Sequence, residues 1–323
     1  MTYPFSRSPL WGLALAILTL ATPSVADQSI PDQYPQSPLY QKPVEVIPHV
    51  WSAIGATAPP DYENTGHNNN LSFIVTTEGV VVVNGGAAYV LAEALHAEIK
   101  QITDQPVVLV INENGQGHAM LGNTYWAEQG VPILAHVDAA EEFEERGYDI
   151  LDRMKGYNRD KAEGTEVTPP TQTFEDRHEI TLGGTRIEVL HLGPAHSPGD
   201  ISVWLPEQKL VIAGDMAFHE RMLPIFEETD TAGWVETWET EFEALGAVYV
   251  IPGHGHPTNM AQVRRYTYDY LVYLRGKIRE HIDNGGELAD AYYVDQSPYA
   301  HLDTFEELAT RNAGRVYEQM EWE

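Results

Sequence analysis

The amino-acid sequence of 323 residues contains no cysteine. This absence excludes disulfide bonds, cysteine-ligated zinc sites and a catalytic thiol nucleophile. Any metal ion that the chain binds must therefore be held by histidine nitrogen or by carboxylate or amide oxygen.

Basic residues are also scarce. The chain has 19 lysines and arginines against 48 aspartates and glutamates, and its formal net charge is −29. Such a charge repels phosphate backbones and anionic lipid surfaces, so the sequence argues against a nucleic-acid partner and favours a small-molecule substrate. Two explanations of the acidity stay open: solubility in a salty medium, where a dense acidic surface is well screened, or a specific cationic partner.

Long apolar runs are absent beyond the amino terminus, so we expect no membrane span in the mature chain. At the amino terminus, residues 10–20 are almost entirely apolar, Arg7 precedes them, and the small residues Ser24 and Ala26 follow. This pattern predicts a signal peptide over residues 1–26 and export to the periplasm or out of the cell. A membrane anchor is the alternative, but the run is shorter than the roughly 18 to 20 residues that span a bilayer.

The rest of the sequence is typical of a packed globular protein, with 43% hydrophobic residues and seven tryptophans. Two strand signals at 71–76 and 79–84 flank a turn, and the unbroken valines of the second indicate a strand buried on both faces. Further predicted elements are strands at 107–111, 131–136, 186–191, 201–205, 209–213 and 248–251, and helices at 89–101, 121–129, 139–146, 231–245 and 258–283. Two rounds of strand hairpin and helix predict an α/β fold with two halves packed sheet against sheet, a four-layer αββα sandwich.

The chain divides into four predicted regions, of which the signal peptide is the first. Residues 27–45 contain four prolines and are expected to form an extended lead-in. The α/β pattern occupies residues 46–285, and within it residues 147–180 give the weakest structural signal. Residues 286–323 are predicted to form an acidic helical extension packed on this domain.

Three short segments carry the functional signal. His196 lies in Gly-Pro-Ala-His-Ser-Pro-Gly-Asp, Asp215 in Ala-Gly-Asp, and His254 in Pro-Gly-His-Gly. Together with the segments 79–83 and 122–126, they resemble the metallo-β-lactamase superfamily, and within it the exported hydrolases of the sulfur-oxidation and quinoprotein-relay groups. The resemblance covers about residues 45–280. It implies the αββα metallo-β-lactamase fold and a metal-dependent hydrolase.

The H-x-H-x-D-H signature of that family is altered in this chain, and two alignments stay open. One is anchored on Gly122 and Asn123 and places at the four ligand positions Asn114, Gln116, His118 and Ala119. The other is anchored on His118 and places there Glu113, Gly115, Gly117 and His118. The first is favoured, because Ile111 and Asn112 then also match the family's strand end. In both, most ligands of the first metal ion are gone.

The resemblance implies a metal site built from the residues that remain, which are His118, His196, Asp215 and His254. Three imidazoles and one carboxylate are expected to hold one zinc ion, or another borderline divalent ion, per chain. A metal-bound water would attack an ester, thioester, lactone or amide carbonyl, with Asp215 as ligand or orienting base and Glu113 as a further base or ligand. The alternatives are a helix cap for His118 and a turn-forming role for Asp215.

Six further residues are expected to contact substrate or to orient the ligands: His67, Asn84, Asn114, Gln116, His219 and Arg221. Amide oxygens are weak zinc donors, so Asn114 and Gln116 are better suited to orienting a substrate. Asn84 stands where the family usually has an aspartate that orients ligands. Arg221 follows Asp215 in the cleft-bordering loop and is a candidate for binding a substrate carboxylate or other anion.

Two main functions are compatible with these residues. The first is an exported metal-dependent hydrolase with a reduced, mononuclear site, and the four retained residues favour it. The second is a catalytically degenerate binding or assembly protein whose Asn-Gln loop recognises a ligand, and the altered signature favours it. A redox or sulfur-handling protein that uses iron in the same cleft is a third possibility, although no residue demands iron.

Overall fold

The structure is a computed structural model, which describes residue 1 and residues 33–323. Nearly all of the predicted signal peptide and the start of the predicted lead-in lie outside the described residues. Within the described part, no helix is both long and apolar enough to cross a membrane.

The first of two β-sheets has seven strands that lie side by side in chain order. They are β1 (Val44–Ile47), β2 (Val50–Ala53), β3 (Leu71–Val75), β4 (Val80–Val83), β5 (Val107–Ile111), β6 (Ile133–His136) and β7 (Gln172–Phe174). Neighbours from β1 to β4 are antiparallel, and neighbours from β4 to β7 are parallel. The predicted hairpin is confirmed, because β3 and β4 pair with Ser72 opposite Val83 and Val75 opposite Val80.

The second sheet has five strands in the order β12-β11-β10-β9-β8. They are β8 (Arg177–Leu182), β9 (Thr185–Leu190), β10 (Ser202–Leu205), β11 (Leu210–Phe218) and β12 (Tyr249–His254). All neighbours are antiparallel except β11 and β12, which run parallel. Strand β12 lies at one edge of this sheet, and because β11 and β12 are parallel, their carboxyl ends lie side by side.

Helices follow strands β4, β5, β6, β11 and β12. The α-helices of the described residues are α1 (Tyr89–Ile102), α2 (Gly117–Met120), α3 (Asn123–Glu128), α4 (Val137–Asn158), α5 (Thr231–Thr237), α6 (Met260–Tyr266), α7 (Tyr268–Asp283), α8 (Leu288–Ala291) and α9 (Phe305–Met320). The chain continues from α5 through a π-helical turn, Trp238–Phe242, and a 3-10 turn, Glu243–Leu245. Further 3-10 turns are Arg159–Ala162 and Ser297–Tyr299.

The predicted four-layer αββα sandwich is confirmed. Val81 and Ile111 of the first sheet share one buried apolar cluster with Val203 and Ile212 of the second, so the sheets pack face to face. A second cluster joins the outer face of the first sheet to α1, α3 and α4. A third joins the outer face of the second sheet to α5, α7 and α9. Each fully buried aliphatic side chain contributes about 1.5 to 3 kcal/mol of hydrophobic stabilisation, so these three clusters dominate the stability of the fold.

Several elements differ from the sequence-based predictions. The helix predicted at 139–146 continues to Asn158, because Phe143, Ile150 and Met154 keep a buried apolar face along it. The helix predicted at 258–283 is divided at Thr267, whose hydroxyl accepts a hydrogen bond from the main-chain N–H of Phe218. Strands β1, β2, β7 and β8 were not predicted, and three of them are short or carry exposed residues, as is usual near sheet edges.

Candidate metal centre

The candidate residues converge at one edge of the sandwich. Asp215 lies within β11, and His254 is the last residue of the adjacent strand β12. His118 lies in α2, just after the loop that follows β5, and His196 lies in the loop between β9 and β10. All four line one cleft of about 570 Å³.

Asp215 is the centre of this group, and three imidazoles surround its carboxylate. Its Oδ1 lies 3.2 Å from Nε2 of His254, and its Oδ2 lies 3.5 Å from both Nε2 of His118 and Nδ1 of His196. The side chain is 1% exposed. Burial by itself would raise the pKa of Asp215, but His254 and His118 outweigh it and hold this pKa below its usual range. Asp215 is therefore an anion at neutral pH.

Three of these side chains form a group that could hold a metal ion. One donor atom from each of His118, Asp215 and His254 lies within 4.8 Å of the other two. Nδ1 of His254 makes a short hydrogen bond with the main-chain carbonyl of Asn68, so Nε2 is the ring nitrogen that faces Asp215. Burial lowers the pKa of His254 to about 4, which keeps this ring neutral. Neutral imidazole and carboxylate are the donors that zinc requires here, so the residues fit the ion.

His196 lies beside this group rather than within it. Its Nδ1 is 3.1 Å from the side-chain nitrogen of Gln116, which occupies the side of the ring nearest to Asp215. Three aromatic rings pack around His196, those of Phe218, Phe226 and Trp234. Burial lowers the pKa of His196, so this ring is neutral as well. Gln116 is thus in contact with the histidine that was expected to bind metal.

Asn114 connects two buried carboxylates. Its side-chain nitrogen donates to Oδ1 of Asp200 and to Oδ2 of Asp215, each at 3.1 Å. Asp200 also accepts hydrogen bonds from the main-chain N–H and the hydroxyl of Ser197. Burial, reinforced by the charge of Asp215, raises the pKa of Asp200 well above its ordinary value. Asp200 was missed as a site residue, although its position four residues after His196 in the Ser-Pro-Gly-Asp segment could have indicated it.

Glu113 lies behind His118. Its Oε1 is 3.0 Å from Nε2 of His118, its side chain is 1% exposed, and it is not among the residues that line the cleft. Burial raises the pKa of Glu113. Burial lowers the pKa of His118, but the carboxylates of Asp215 and Glu113 outweigh it and hold this pKa above its ordinary value. In this geometry Glu113 orients His118 through the contact between its Oε1 and Nε2 of the ring.

Asn84 orients the loop that carries Asn114, Gln116 and His118, and it does not contact the donor atoms directly. Its side-chain oxygen accepts a hydrogen bond from the main-chain N–H of Glu113, and its side-chain nitrogen donates to the carbonyl of Asn70. Its φ is 75°, in the left-handed region, which asparagine tolerates better than most residues. The side chain therefore fixes the start of the loop that carries Asn114, Gln116 and His118.

The remaining predicted residues lie at different distances from the centre. His67 is fully buried, accepts a hydrogen bond from the main-chain N–H of Tyr40 and does not line the cleft. His219 contacts the carbonyl of His256 and the ring of Tyr266, again outside the cleft. Arg221 lines the cleft, is 6% exposed, and places Nη1 3.4 Å from Nδ1 of His254. Of these three, only Arg221 reaches the site.

Two glycines allow the strands to approach one another here. A Cβ atom at Gly253 would overlap Oδ1 of Asp215, and a Cβ atom at Gly214 would lie 2.7 Å from Oε2 of Glu113. Gly214 also has a φ of 59°, which favours glycine. The glycines of the Ala-Gly-Asp and Pro-Gly-His segments are therefore required for the close packing of the donor side chains.

Comparison with known proteins finds a family model that matches part of the chain. The family model described as the Metallo-beta-lactamase superfamily matches residues 120–259. The match begins just after the altered loop and includes His196, Asp215 and His254.

Individual relatives are distant. The chain is 21% identical over 249 residues to the linear primary-alkylsulfatase of Pseudomonas sp. (strain ATCC 19151), which covers 66% of this chain and 47% of that protein. The chain therefore spans about half the length of this curated relative. A solved structure of the stereoselective inverting sec-alkylsulfatase Pisa1 from Pseudomonas sp. is similar with a TM-score of 0.67 and 18% identity, over 87% of this chain and 50% of that one. A metallo-beta-lactamase from Pontibacter korlensis is similar with a TM-score of 0.59 and 20% identity, over 71% of this chain and 98% of that one. At these identities the structural similarities establish the fold alone.

Proposed function

Because the chain contains a metallo-β-lactamase superfamily domain, we propose that it is a metal-dependent hydrolase with one zinc ion held by His118, Asp215 and His254. The observation that carries the proposal is the convergence of these three donor atoms within 4.8 Å of one another in a buried cleft. The proposed substrate is a small molecule with an ester, thioester, lactone or amide bond. Sulfate esters belong with this set, because relatives of the chain include alkylsulfatases.

The proposed chemistry divides between the ion and the side chains. Zinc supplies a Lewis acid that makes water a better nucleophile near neutral pH and stabilises negative charge on the oxygen under attack. Asp215 supplies the negative charge that attracts the ion, and the hydrogen bond between His254 and the carbonyl of Asn68 fixes which nitrogen faces it. Glu113 can take up the proton that His118 gives up on binding the ion.

A single ion is proposed because the second half of the usual site is occupied by amides. The side-chain N–H groups of Asn114 donate hydrogen bonds to Asp200 and Asp215. Its side-chain oxygen accepts a hydrogen bond from the main-chain N–H of Gln116. Gln116 is hydrogen-bonded to His196. Neither amide presents an unused donor atom of the kind that zinc prefers, so His196 has no partner with which to hold a second ion.

The alternative function is that of a binding protein that has lost hydrolysis. The amide contacts of Asn114 and Gln116 favour it, because they satisfy buried polar groups without any metal ion. The two functions differ in whether zinc is present and needed, which can be measured directly.

The test is elemental analysis of the full chain purified without chelator, followed by a hydrolysis screen over esters, thioesters, lactones, amides and sulfate esters. We expect about one zinc per chain. His254→Ala should remove both the zinc and any turnover, whereas the matched control His178→Ala, on strand β8 away from the cleft, should retain both. A chain that takes up no zinc even with the ion in excess would contradict the hydrolase and support the binding protein.

Export of the chain is part of the same proposal. It is supported by the signal-peptide pattern of residues 1–26, and the amino-terminal sequence of the protein recovered from the producing cells tests it. A mature chain that begins near residue 27 is the expected result, and a chain that retains Arg7 would contradict it.

A further inference from the structure

The carboxyl-terminal helix α9 forms one wall of the cleft. The sequence predicts residues 286–323 as an extension packed on the domain, and α9 does pack on the outer face of the second sheet. It also contributes Leu308 and Arg311 to the lining of the cleft that contains the candidate metal centre. A helix outside the α/β pattern of residues 46–285 therefore reaches the candidate site.

The wall next to α9 is the segment between β11 and α5, of which residues 222–230 belong to no helix or strand of the described structure. Ile225 and Phe226 of this segment line the cleft. The ring of Phe226 packs edge-to-face against the ring of His196, with 5.1 Å between the two centroids. Because an irregular segment has no hydrogen-bond ladder of its own, its main-chain groups need partners on other elements.

Asn312 of α9 supplies such partners to the middle of the segment. Its side-chain oxygen accepts a hydrogen bond from the main-chain N–H of Ile225 at 2.9 Å, and its side-chain nitrogen donates to the carbonyl of Leu223 at 2.8 Å. The same nitrogen donates to the hydroxyl of Tyr270 at 3.0 Å. Asn312 is fully buried, so these contacts fix both polar atoms of its amide.

Gln319, two turns further along α9, supplies partners to the end of the segment. Its side-chain nitrogen donates to the carbonyl of Thr229 at 2.6 Å, and its side-chain oxygen accepts from the hydroxyl and the main-chain N–H of Thr231. The hydroxyl of Thr229 donates to the carbonyl of His196 at 2.7 Å and accepts from the main-chain N–H of Phe226. The contacts therefore continue from α9 through the segment to the loop that carries His196.

The residue type at position 312 is better suited to holding the segment than to packing the helix. Asparagine is a weaker helix former than alanine or leucine, and its neighbours on the buried face of α9 are Ala309, Ala313 and Val316. A buried amide is tolerated only when its hydrogen bonds are made. The main-chain groups of Leu223 and Ile225 make them here.

We propose that Asn312 and Gln319 are positioning residues of the cleft, which hold residues 222–230 so that Ile225 and Phe226 present a fixed surface to the substrate. This inference rests on the proposed hydrolase function and assigns to α9 a role in substrate affinity at the same site. The three proposed zinc ligands lie outside this segment, so loosening it should weaken substrate binding while zinc is retained.

The test compares Asn312→Ala with the matched control Val316→Ala in the full chain. Val316 is a fully buried apolar residue of α9, so its truncation loosens the packing of the helix but leaves the amide contacts in place. In Asn312→Ala, the amide hydrogen of Ile225 should exchange at least about tenfold faster relative to the amides of β11, as measured by NMR. The KM for the probe ester p-nitrophenyl butyrate should rise about tenfold, with kcat changed by less than about threefold. Val316→Ala should lower the melting temperature and change neither quantity, and zinc content should be that of the wild type in both variants.

Gln319→Ala, at a half-buried position, is the second variant in case Asn312→Ala does not fold. It should speed exchange at the amide of Thr231 and raise the same KM. A folded Asn312→Ala with the exchange at Ile225 and the KM of the wild type would overturn the inference, and so would an equal rise of KM in Val316→Ala. Failure of the proposed function has a different signature, which is a wild type without zinc or turnover, and exchange at Ile225 then still decides whether Asn312 holds the segment.

Discussion

The two sides of Asp215 differ in the kind of side chain that faces it. On one side, His118 and His254 direct ring nitrogens toward its carboxylate, and these three residues form the donor group. On the other side, the amide of Asn114 donates to the carboxylate and Gln116 holds His196. Asn114 and Asp215 are buried, whereas Gln116 and His118 are half-buried and line the cleft. The same carboxylate is therefore faced by ring nitrogens on one side and by an amide N–H donor on the other.

The largest effect is expected on zinc affinity, which should respond differently to substitution of His254 and of His196. His254→Ala removes one of three donors, and we expect zinc affinity to fall by more than about a hundredfold, since even residues that only orient ligands cost roughly 10- to 100-fold. His196→Ala should leave most of the zinc affinity intact, because Gln116 and not the ion is its partner. Competition with a chromophoric chelator measures both. Equal losses in the two variants would show that His196 is a ligand after all.

A second experiment adds imidazoles to the amide side of Asp215, so that both sides of the carboxylate carry histidines. In the double variant Asn114→His and Gln116→His, two imidazoles are placed beside His196, and we expect the zinc content to rise from about one to about two ions per chain. The single variant Gln116→His serves as the control for a general effect of an added histidine. A double variant that still binds one ion would mean that the loop backbone, and not the side-chain type, excludes the second.

A smaller effect is expected from Asn114→Ala. This change leaves Asp200 and Asp215 without their shared N–H donor, and unsatisfied buried polar groups cost about 1 to 3 kcal/mol. The free energy of unfolding from urea titration should therefore fall by that amount, and zinc should restore part of it because the ion neutralises Asp215. Asn114→Asp is the harsher comparison, because it adds a third buried carboxylate. An unchanged stability in Asn114→Ala would contradict the importance of the amide bridge.

The smallest effect is expected in the pH dependence of zinc affinity. The pKa of His118 is raised above its ordinary value of 6.5, whereas the pKa of His196 is lowered, so only His118 carries a proton that zinc must displace near neutral pH. As pH falls through the raised pKa of His118, zinc affinity should drop by about tenfold per pH unit. Glu113→Gln removes one of the carboxylates that raise this pKa, and the drop should then begin at lower pH. NMR titration of the imidazole protons in the metal-free protein checks the order of the two pKa values. A His118 that titrates at lower pH than His196 would refute the predicted order.

Local sequence patterns were sufficient for most of the central elements. The valine run of β4 is buried on both faces, and β5 is buried except at Val108 and Leu109, which are half-buried; such strands are apolar throughout. Edge strands such as β8 alternate exposed and half-buried residues and depend on a neighbouring strand for their hydrogen bonds, so their sequences carry a weak signal. The extension of α4 to Asn158 was missed because polar residues on its outer face obscure the apolar face that packs inward.

The candidate site was predictable in part. His118, Asp215 and His254 were expected at the site because short segments of the sequence resemble a known family, and each of the three follows a glycine. The close contact of Gly253 with Asp215, and the N–H donors that Asn114 gives to Asp200, join residues far apart in the chain. No local pattern can indicate which of several polar residues will meet.

The sequence by itself therefore determined the chemical inventory: a chain without thiols, a strongly acidic surface, an αββα sandwich, and a set of histidines and carboxylates at strand ends. The tertiary structure decided which of these side chains contact one another. It placed Gln116 on His196, left His118, Asp215 and His254 as a group, and buried Arg221 beside His254. The physical reason is that donor type is a property of each residue, whereas distance, burial and hydrogen-bond partner are properties of the packed sheets that bring distant residues together.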